Sequence, residues 1–102
     1  MEYIDFKDNI NKAYNIKLQD RVLSLKLTEV KKLTPPYPDD YTGPTPDNYR
    51  AIPFVLTFCG PRDIVLPTGI YELVDEGSNP LQLALSAFIQ NRDGIFYEAI
   101  FN

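Results

Sequence analysis

The sequence predicts a mainly β fold, a small antiparallel β-barrel or sandwich with one short N-terminal helix. Apolar residues alternate with other residues along several stretches, which is the pattern of strands that place one face on a core. Turns and loops rich in glycine, proline, asparagine and aspartate separate these stretches. Short strands joined in this way favour an antiparallel barrel or sandwich. The alternating stretches are Val22–Leu27, Ile52–Cys59, Leu81–Ile89 and Ile95–Phe101.

Length and composition predict a single domain over residues 1–102. A chain of 102 residues is long enough for one small core but not for two. A hydrophobic fraction of 44% and an aromatic fraction of 13% supply that core. Lys and Arg total 10 against 14 Asp and Glu, and the resulting net charge of -4 disfavours binding to nucleic acid.

The N-terminal residues contain no basic region followed by an apolar core, so no signal peptide is evident. The apolar runs are too short to cross a bilayer. Cys59 is the only cysteine, and the lack of an internal disulfide fits a reducing compartment. We therefore expect a soluble, cytoplasmic protein that does not act at a membrane.

The composition also argues against catalysis, because the sequence has no histidine. This excludes a Cys-His dyad, a Ser-His-Asp triad and every histidine metal site. Two oxygen-rich loop clusters lack the spacing of an EF-hand, and acidic loop residues are usually solvated. We therefore predict no enzyme, no cofactor and no metal. The two clusters are Asp39 with Asp40, and Asp75 with Glu76, Ser78 and Asn79.

The first predicted element is a short helix within residues 4–14, with Asp5 as its N-cap. Asn11 is expected to end this helix in the left-handed conformation. A first strand then follows over Ala13–Leu18, after which Gln19-Asp20-Arg21 forms a polar turn.

A long second strand is predicted over Val22–Leu33. The alternation of Leu23, Leu25 and Leu27 shifts phase before Val30. A β-bulge near Thr28 or Glu29 would account for that shift and would help the strand to curl.

The central strand of the predicted sheet lies within Arg50–Pro61. Its alternating residues Ile52, Phe54, Leu56 and Phe58 share one face, whereas Val55 and Cys59 lie on the other. Because both faces are apolar, we expect both to be covered. Cys59 is accordingly expected to be a small, buried and unreactive hydrophobic residue.

Four further strands, separated by turns, complete the prediction. Ile64–Leu66 is expected to form a short strand, and Gly69–Val74 and Leu81–Ile89 two more. Asp93-Gly94 suits a type I′ hairpin turn before the last strand, Ile95–Phe101. The residues expected in the core are Phe54, Leu56, Phe58, Leu83, Leu85 and Tyr97.

Three motifs resemble a family of small uncharacterised bacterial β domains. They are Phe54-x-Leu56-x-Phe58-x-Gly60-Pro61, Gly69-x-Tyr71-x-Leu73, and the terminal Tyr97-Glu98-Ala99-Ile100-Phe101-Asn102. Three features depart from the family pattern: Thr68 replaces a usual Gln, Leu81–Ile89 lacks the Pro that commonly ends its counterpart, and Asn11 stands where the family has Gly before its first strand. The resemblance implies a compact β fold and an association with phage-tail-like or surface-fibre neighbourhoods, and it implies no catalytic residues.

The candidate binding site is the loop Thr34–Tyr49, where five prolines forbid both helix and strand pairing. Tyrosines offer large rigid contact areas, and acidic neighbours would attract a basic partner. The alternative is that the tyrosines fold back and cover the end of a barrel. The predicted partner-binding residues are Tyr37, Asp39, Asp40, Tyr41 and Tyr49.

These observations predict a non-catalytic protein-interaction or structural module that binds a protein partner, as a subunit of a bacterial or phage-tail-like assembly. The alternative is a small acidic inhibitor or immunity protein that masks a basic partner. The sequence leaves open the identity of the partner, the oligomeric state, and the choice between barrel and sandwich.

Overall fold

Antiparallel strands form one six-stranded sheet in the computed structural model, which describes residues 2–38, 40–46, 52–75 and 80–102. The sheet order is β1-β2-β3-β6-β5-β4, and every neighbouring pair is antiparallel. This architecture confirms the predicted mainly β fold. The strands are β1 (Ala13–Lys17), β2 (Val22–Lys32), β3 (Phe54–Gly60), β4 (Gly69–Leu73), β5 (Leu81–Asn91) and β6 (Gly94–Phe101).

The sheet curls into a nearly closed barrel, because β4 at one edge of the sheet meets β1 at the other edge. Asn15 and Val74 form a single bridge between the ends of this sheet, with reciprocal N–H···O bonds of 2.8 Å. Beside the bridge, Lys12 forms an ion pair with the buried carboxylate of Asp75. The hydrogen bond to Asp75 raises the pKa of Lys12 above its ordinary value, against the lowering effect of desolvation.

Two bulges assist this curling. The register between β2 and β3 shifts between Leu27 and Glu29, as the phase change in the sequence predicts. A second shift, between Ala87 and Ile89 on β5, was not expected from the regular alternation of that stretch. As a result Ala87 and Ile89 are exposed, and the inward face of β5 ends at Leu85.

The core fills the barrel with inward-facing residues from all six strands. Leu66 and Phe6 add to it from the connecting segments. The six core residues expected from the sequence are all buried, which confirms that prediction. The buried hydrophobic residues are Phe6, Tyr14, Ile16, Leu23, Leu25, Leu27, Phe54, Leu56, Phe58, Leu66, Leu73, Leu83, Leu85, Ile95, Tyr97 and Ala99.

The predicted N-terminal helix is wrong, since only a 3-10 helix over Tyr3–Asp5 forms there. The carbonyl of Asp5 would accept the Asn9 N–H in an α-helix, but it accepts the Asn9 side-chain amide at 3.1 Å. Asp5 is not the N-cap either, because its carboxylate accepts the N–H of Glu2 at 2.8 Å. The expected left-handed residue is confirmed, since Asn11 has a φ of 76°.

Two local predictions further along the chain are also wrong. Ile64–Leu66 forms no strand; the N–H of Leu66 donates instead to the buried hydroxyl of Tyr97 at 3.0 Å. The β5–β6 turn is not type I′, because its central residues Arg92 and Asp93 do not have positive φ. The positive φ of 146° falls at Gly94, one residue later, where the chain passes close to the backbone of β3.

The outer face of β3 is not covered as expected. Phe54, Leu56, Phe58 and Gly60 are buried inside, but the alternate residues of the strand are only half-buried. Ile52 precedes the strand and is exposed. A barrel has only one interior, so the short apolar side chains on its outer wall pack against neighbouring strands and remain partly in water. The outer residues are Val55, Thr57 and Cys59.

Candidate functional site

The loop between β2 and β3 contains a preformed aromatic pair. The rings of Tyr37 and Tyr41 stack with a centroid distance of 4.5 Å and an interplanar angle of 21°. Within the loop, the Tyr41 N–H donates to the carbonyl of Pro38 at 3.0 Å, and its hydroxyl donates to the carbonyl of Pro44 at 2.6 Å. The loop's own backbone therefore fixes the orientation of the Tyr41 ring.

The structure brings together some of the predicted binding residues. Tyr37 is half-buried, Tyr41 is 38% exposed, and Asp40 is exposed between them in the chain. Asp39 and Tyr49 lie outside the described residues, as does Asp47. The described part of the predicted site is therefore a stacked tyrosine pair next to one exposed carboxylate.

The end of the barrel next to this loop is filled by the N-terminal segment. Tyr3 contacts the ring of Phe54 at 6.1 Å between centroids, and Phe6 contacts Phe54 and Phe101 at 5.9 and 6.1 Å. Among the hydrophobic residues described as packing against the core, none belongs to 34–38 or 40–46. Neither Tyr37 nor Tyr41 is therefore among the described residues that cover this barrel end, and Tyr49, the third loop tyrosine, lies outside the described residues.

Cys59 was expected to be buried and is instead half-buried on the outer wall. Its thiol lies 3.5 Å from the carbonyl oxygen of Asp93, at the edge of a shallow groove of about 490 Å³ that Lys26 also lines. Desolvation raises the pKa of the Cys59 thiol, and the charge of Lys26 only partly opposes this. The site thus lacks the net electropositive environment that activates a cysteine.

Slow modification of Cys59 in the native protein is therefore expected at neutral pH. Because its pKa is raised, the thiol should remain protonated there, and the labelling rate should increase only in alkaline solution. Labelling with a chromogenic disulfide reagent, with and without denaturant, measures the difference. Native labelling at pH 7 as fast as in denaturant would contradict both the burial and the raised pKa.

A cleft that sequence reasoning missed lies between β1 and β4. It has a volume of about 400 Å³, and among the described residues the two strands pair across it only at Asn15 and Val74. No signal in the sequence marks it, because it depends on which strands meet when the sheet curls. Its lining residues are Ile16, Lys17, Leu18, Ile70, Tyr71, Glu72 and Val74.

The predicted oxygen-rich clusters are only partly described. Asp75 is buried against Lys12, whereas Glu76, Ser78 and Asn79 lie outside the described residues. Within the ranges that the structure describes, no group of three or more His, Cys, Asp and Glu residues could hold a metal ion. The same part of the chain contains no helix of the length and hydrophobicity that a membrane crossing requires.

Comparison with known proteins identifies a family to which the chain is similar. The model of a family described as a domain of unknown function, DUF6916, matches residues 1–101. No curated protein and no solved structure matches the chain. The match extends over every strand of the barrel.

Proposed function

We propose that this chain, which belongs to the DUF6916 family of domains of unknown function, is a non-catalytic protein-interaction module. The observation that carries the proposal is the Tyr37–Tyr41 pair, stacked at 4.5 Å in the described part of the loop between β2 and β3. In this proposal the barrel is a rigid support, and the loop between β2 and β3 is the surface that the partner contacts.

Preorganisation is the physical reason for choosing this surface. An interface loses free energy when mobile side chains and loops are ordered on binding. Here the prolines restrict the backbone, and two hydrogen bonds of Tyr41 hold its ring before any partner arrives. Tyrosines in such a position supply contact area at low entropic cost, which is why they are enriched at binding hot spots.

The charge of the loop indicates the kind of partner. Asp40 is exposed beside the tyrosine pair, and the whole chain has a net charge of -4. Such a field attracts a partner with a basic surface and increases the rate of association. The resemblance to bacterial β domains supports placing this partner in a bacterial or phage-tail-like assembly, and the lack of an internal disulfide supports a cytoplasmic location.

The double substitution Tyr37→Ser and Tyr41→Ser tests the proposed surface. We expect the melting temperature to change little, because neither tyrosine is among the described residues that pack against the barrel core. Capture of the native partner should be lost, since both aromatic contacts are removed. Pull-down from the native host with quantitative mass spectrometry, alongside thermal unfolding, measures both quantities.

A matched control is Phe88→Ser, which removes a half-exposed aromatic side chain from β5, far along the barrel from the loop. Proteins that the control retains and the double variant loses are the partners of the loop. Replacement of residues 36–48 by a Gly/Ser linker should have the same effect as the double variant. If the shortened protein loses most of its stability, or still captures the same proteins, the loop is structural.

A further inference from the structure

The barrel has one open seam, where β1 and β4 face each other. Across the described residues, the two strands share only the bridge between Asn15 and Val74. After Asn15 and Val74, the next hydrogen-bonded pair of an uninterrupted antiparallel ladder would be Lys17 with Glu72, but this pair is not formed. The cleft of about 400 Å³ begins at this position.

The backbone of both strands directs hydrogen-bonding groups into the cleft. The N–H of Leu18 donates to Arg21 on the β2 side, whereas the N–H of Asn15 donates to Val74 on the β4 side. Because successive residues of a strand point their N–H and C=O groups to opposite edges, Lys17 directs its groups toward β4. By the same alternation from Val74, Glu72 directs its groups toward β1.

Apolar side chains form the floor of the cleft. Ile16 is buried, and Leu18 and Tyr71 are half-buried beneath the gap. Ile70, which is 74% exposed, and Val74 stand on the rim. The cleft therefore offers backbone donors and acceptors above an apolar floor, which is the combination that a β-strand edge presents to an added strand.

Fixed contacts bound the cleft at one end, where the Asn15–Val74 bridge and the Lys12–Asp75 ion pair hold β1 against the end of β4. A separate contact links the β1–β2 turn to the segment that leads to β4: Arg21 forms a 2.9 Å salt bridge with Asp63. The hydrogen bond from Arg21 lowers the pKa of the Asp63 carboxyl below its usual value.

We propose that this seam binds an extended peptide segment of a partner protein, which adds as a β-strand to the edges of β1 and β4. The segment would place alternate apolar side chains on the floor and its polar side chains toward solvent. A small ligand would leave unpaired the backbone N–H and C=O groups that point into the cleft. This seam is separate from the tyrosine loop, and it does not depend on the function proposed for that loop.

A second copy of this chain fits the seam less well than a peptide does. In a two-fold dimer centred on the cleft that pairs β1 with β1, or β4 with β4, Lys17 would approach Lys17, or Glu72 would approach Glu72. Like charges placed opposite each other across two strands are destabilising. A foreign segment can present the opposite charge to each rim residue.

The test uses a phage-displayed library of random peptides, selected on the immobilised domain. We expect enriched peptides with alternating apolar residues. Their binding should be compared between Lys17→Pro and Lys17→Ala, because proline removes the N–H that points into the cleft and alanine retains it. On an edge strand this proline breaks no hydrogen bond within the barrel. Glu72→Pro and Glu72→Ala form the equivalent pair on β4.

Loss of one backbone hydrogen bond, with its partner left unsatisfied, should weaken binding roughly tenfold or more in each proline variant. The alanine variants should bind within about threefold of the unsubstituted chain, since exposed charges contribute little. Hydrogen exchange of the unsubstituted chain gives an independent readout: bound peptide should protect the Lys17 and Glu72 amides. Failure to enrich peptides, equal binding by proline and alanine variants, no added protection, or dimerisation through this edge would each overturn the proposal.

Discussion

Replacement of Phe58 by alanine is expected to leave the protein unfolded or nearly so. Phe58 is fully buried at the middle of β3, and its ring meets that of Tyr14 edge-on at 5.6 Å and 87°. Removing a buried Phe side chain costs about 3–5 kcal/mol, because the cavity left behind closes only partly. Domains of this size are stable by about 5–15 kcal/mol, so the loss is a large part of the total.

Chemical denaturation followed by far-UV circular dichroism measures this effect. Phe88→Ala is the matched control, since it makes the same chemical change at a side chain that is 47% exposed. That control should change the free energy of unfolding by about 0.5 kcal/mol or less, as surface substitutions usually do. Similar losses for the two variants would show that Phe58 is not at the centre of the core.

The second large effect is expected at Gly94, in the turn between β5 and β6. Gly94 has a φ of 146°, and a Cβ placed there would lie 2.2 Å from the carbonyl oxygen of Gly60 and 2.9 Å from the sulfur of Cys59. An alanine at this position would therefore have a strained backbone conformation, and its methyl group would clash with a backbone oxygen that cannot move aside. Each of these costs about 1–3 kcal/mol, so Gly94→Ala should lose about 2–6 kcal/mol.

Gly69→Ala is the control for this prediction, because it adds the same methyl group to another glycine. Its Cβ would lie 3.7 Å from the ring of Tyr71, which is an ordinary contact, and its φ is outside the left-handed range. The free energy of unfolding should change by about 1 kcal/mol or less there. If the two alanine variants unfold at the same denaturant concentration, the close approach of Gly94 to β3 is not rigid.

The candidate site was only partly accessible from sequence. The run of prolines and tyrosines identified the loop, because prolines exclude regular structure wherever they occur. Neither the stacking of Tyr37 on Tyr41 nor the filling of the adjacent barrel end by Phe6 could be derived from the sequence. Both depend on how separate segments approach one another, and residue spacing contains no such information.

The sequence by itself determined the strands and the core, because the alternation of side chains about a pleated backbone is a local property. Phe54, Leu56 and Phe58 are buried as their spacing predicts, and the bulge after Leu27 follows from the phase shift in the same stretch. Local reasoning was wrong in two places for different reasons. A distant segment, β3, determines the turn geometry at Gly94 by its close approach. Near the N-terminus, the Asn9 side chain competes for the carbonyl that an α-helix would have used.

Only the tertiary structure decided between barrel and sandwich, and it also created the seam. Closure depends on whether β4 meets β1, and these two strands are far apart in the sequence. Their meeting is determined by the summed twist and bulges of all six strands. Here the combined twist and bulges bring Asn15 to Val74, whereas Lys17 and Glu72 do not pair. The outer wall follows from the same closure: a curled sheet buries one face, so Cys59 remains partly in water although its strand is apolar on both sides.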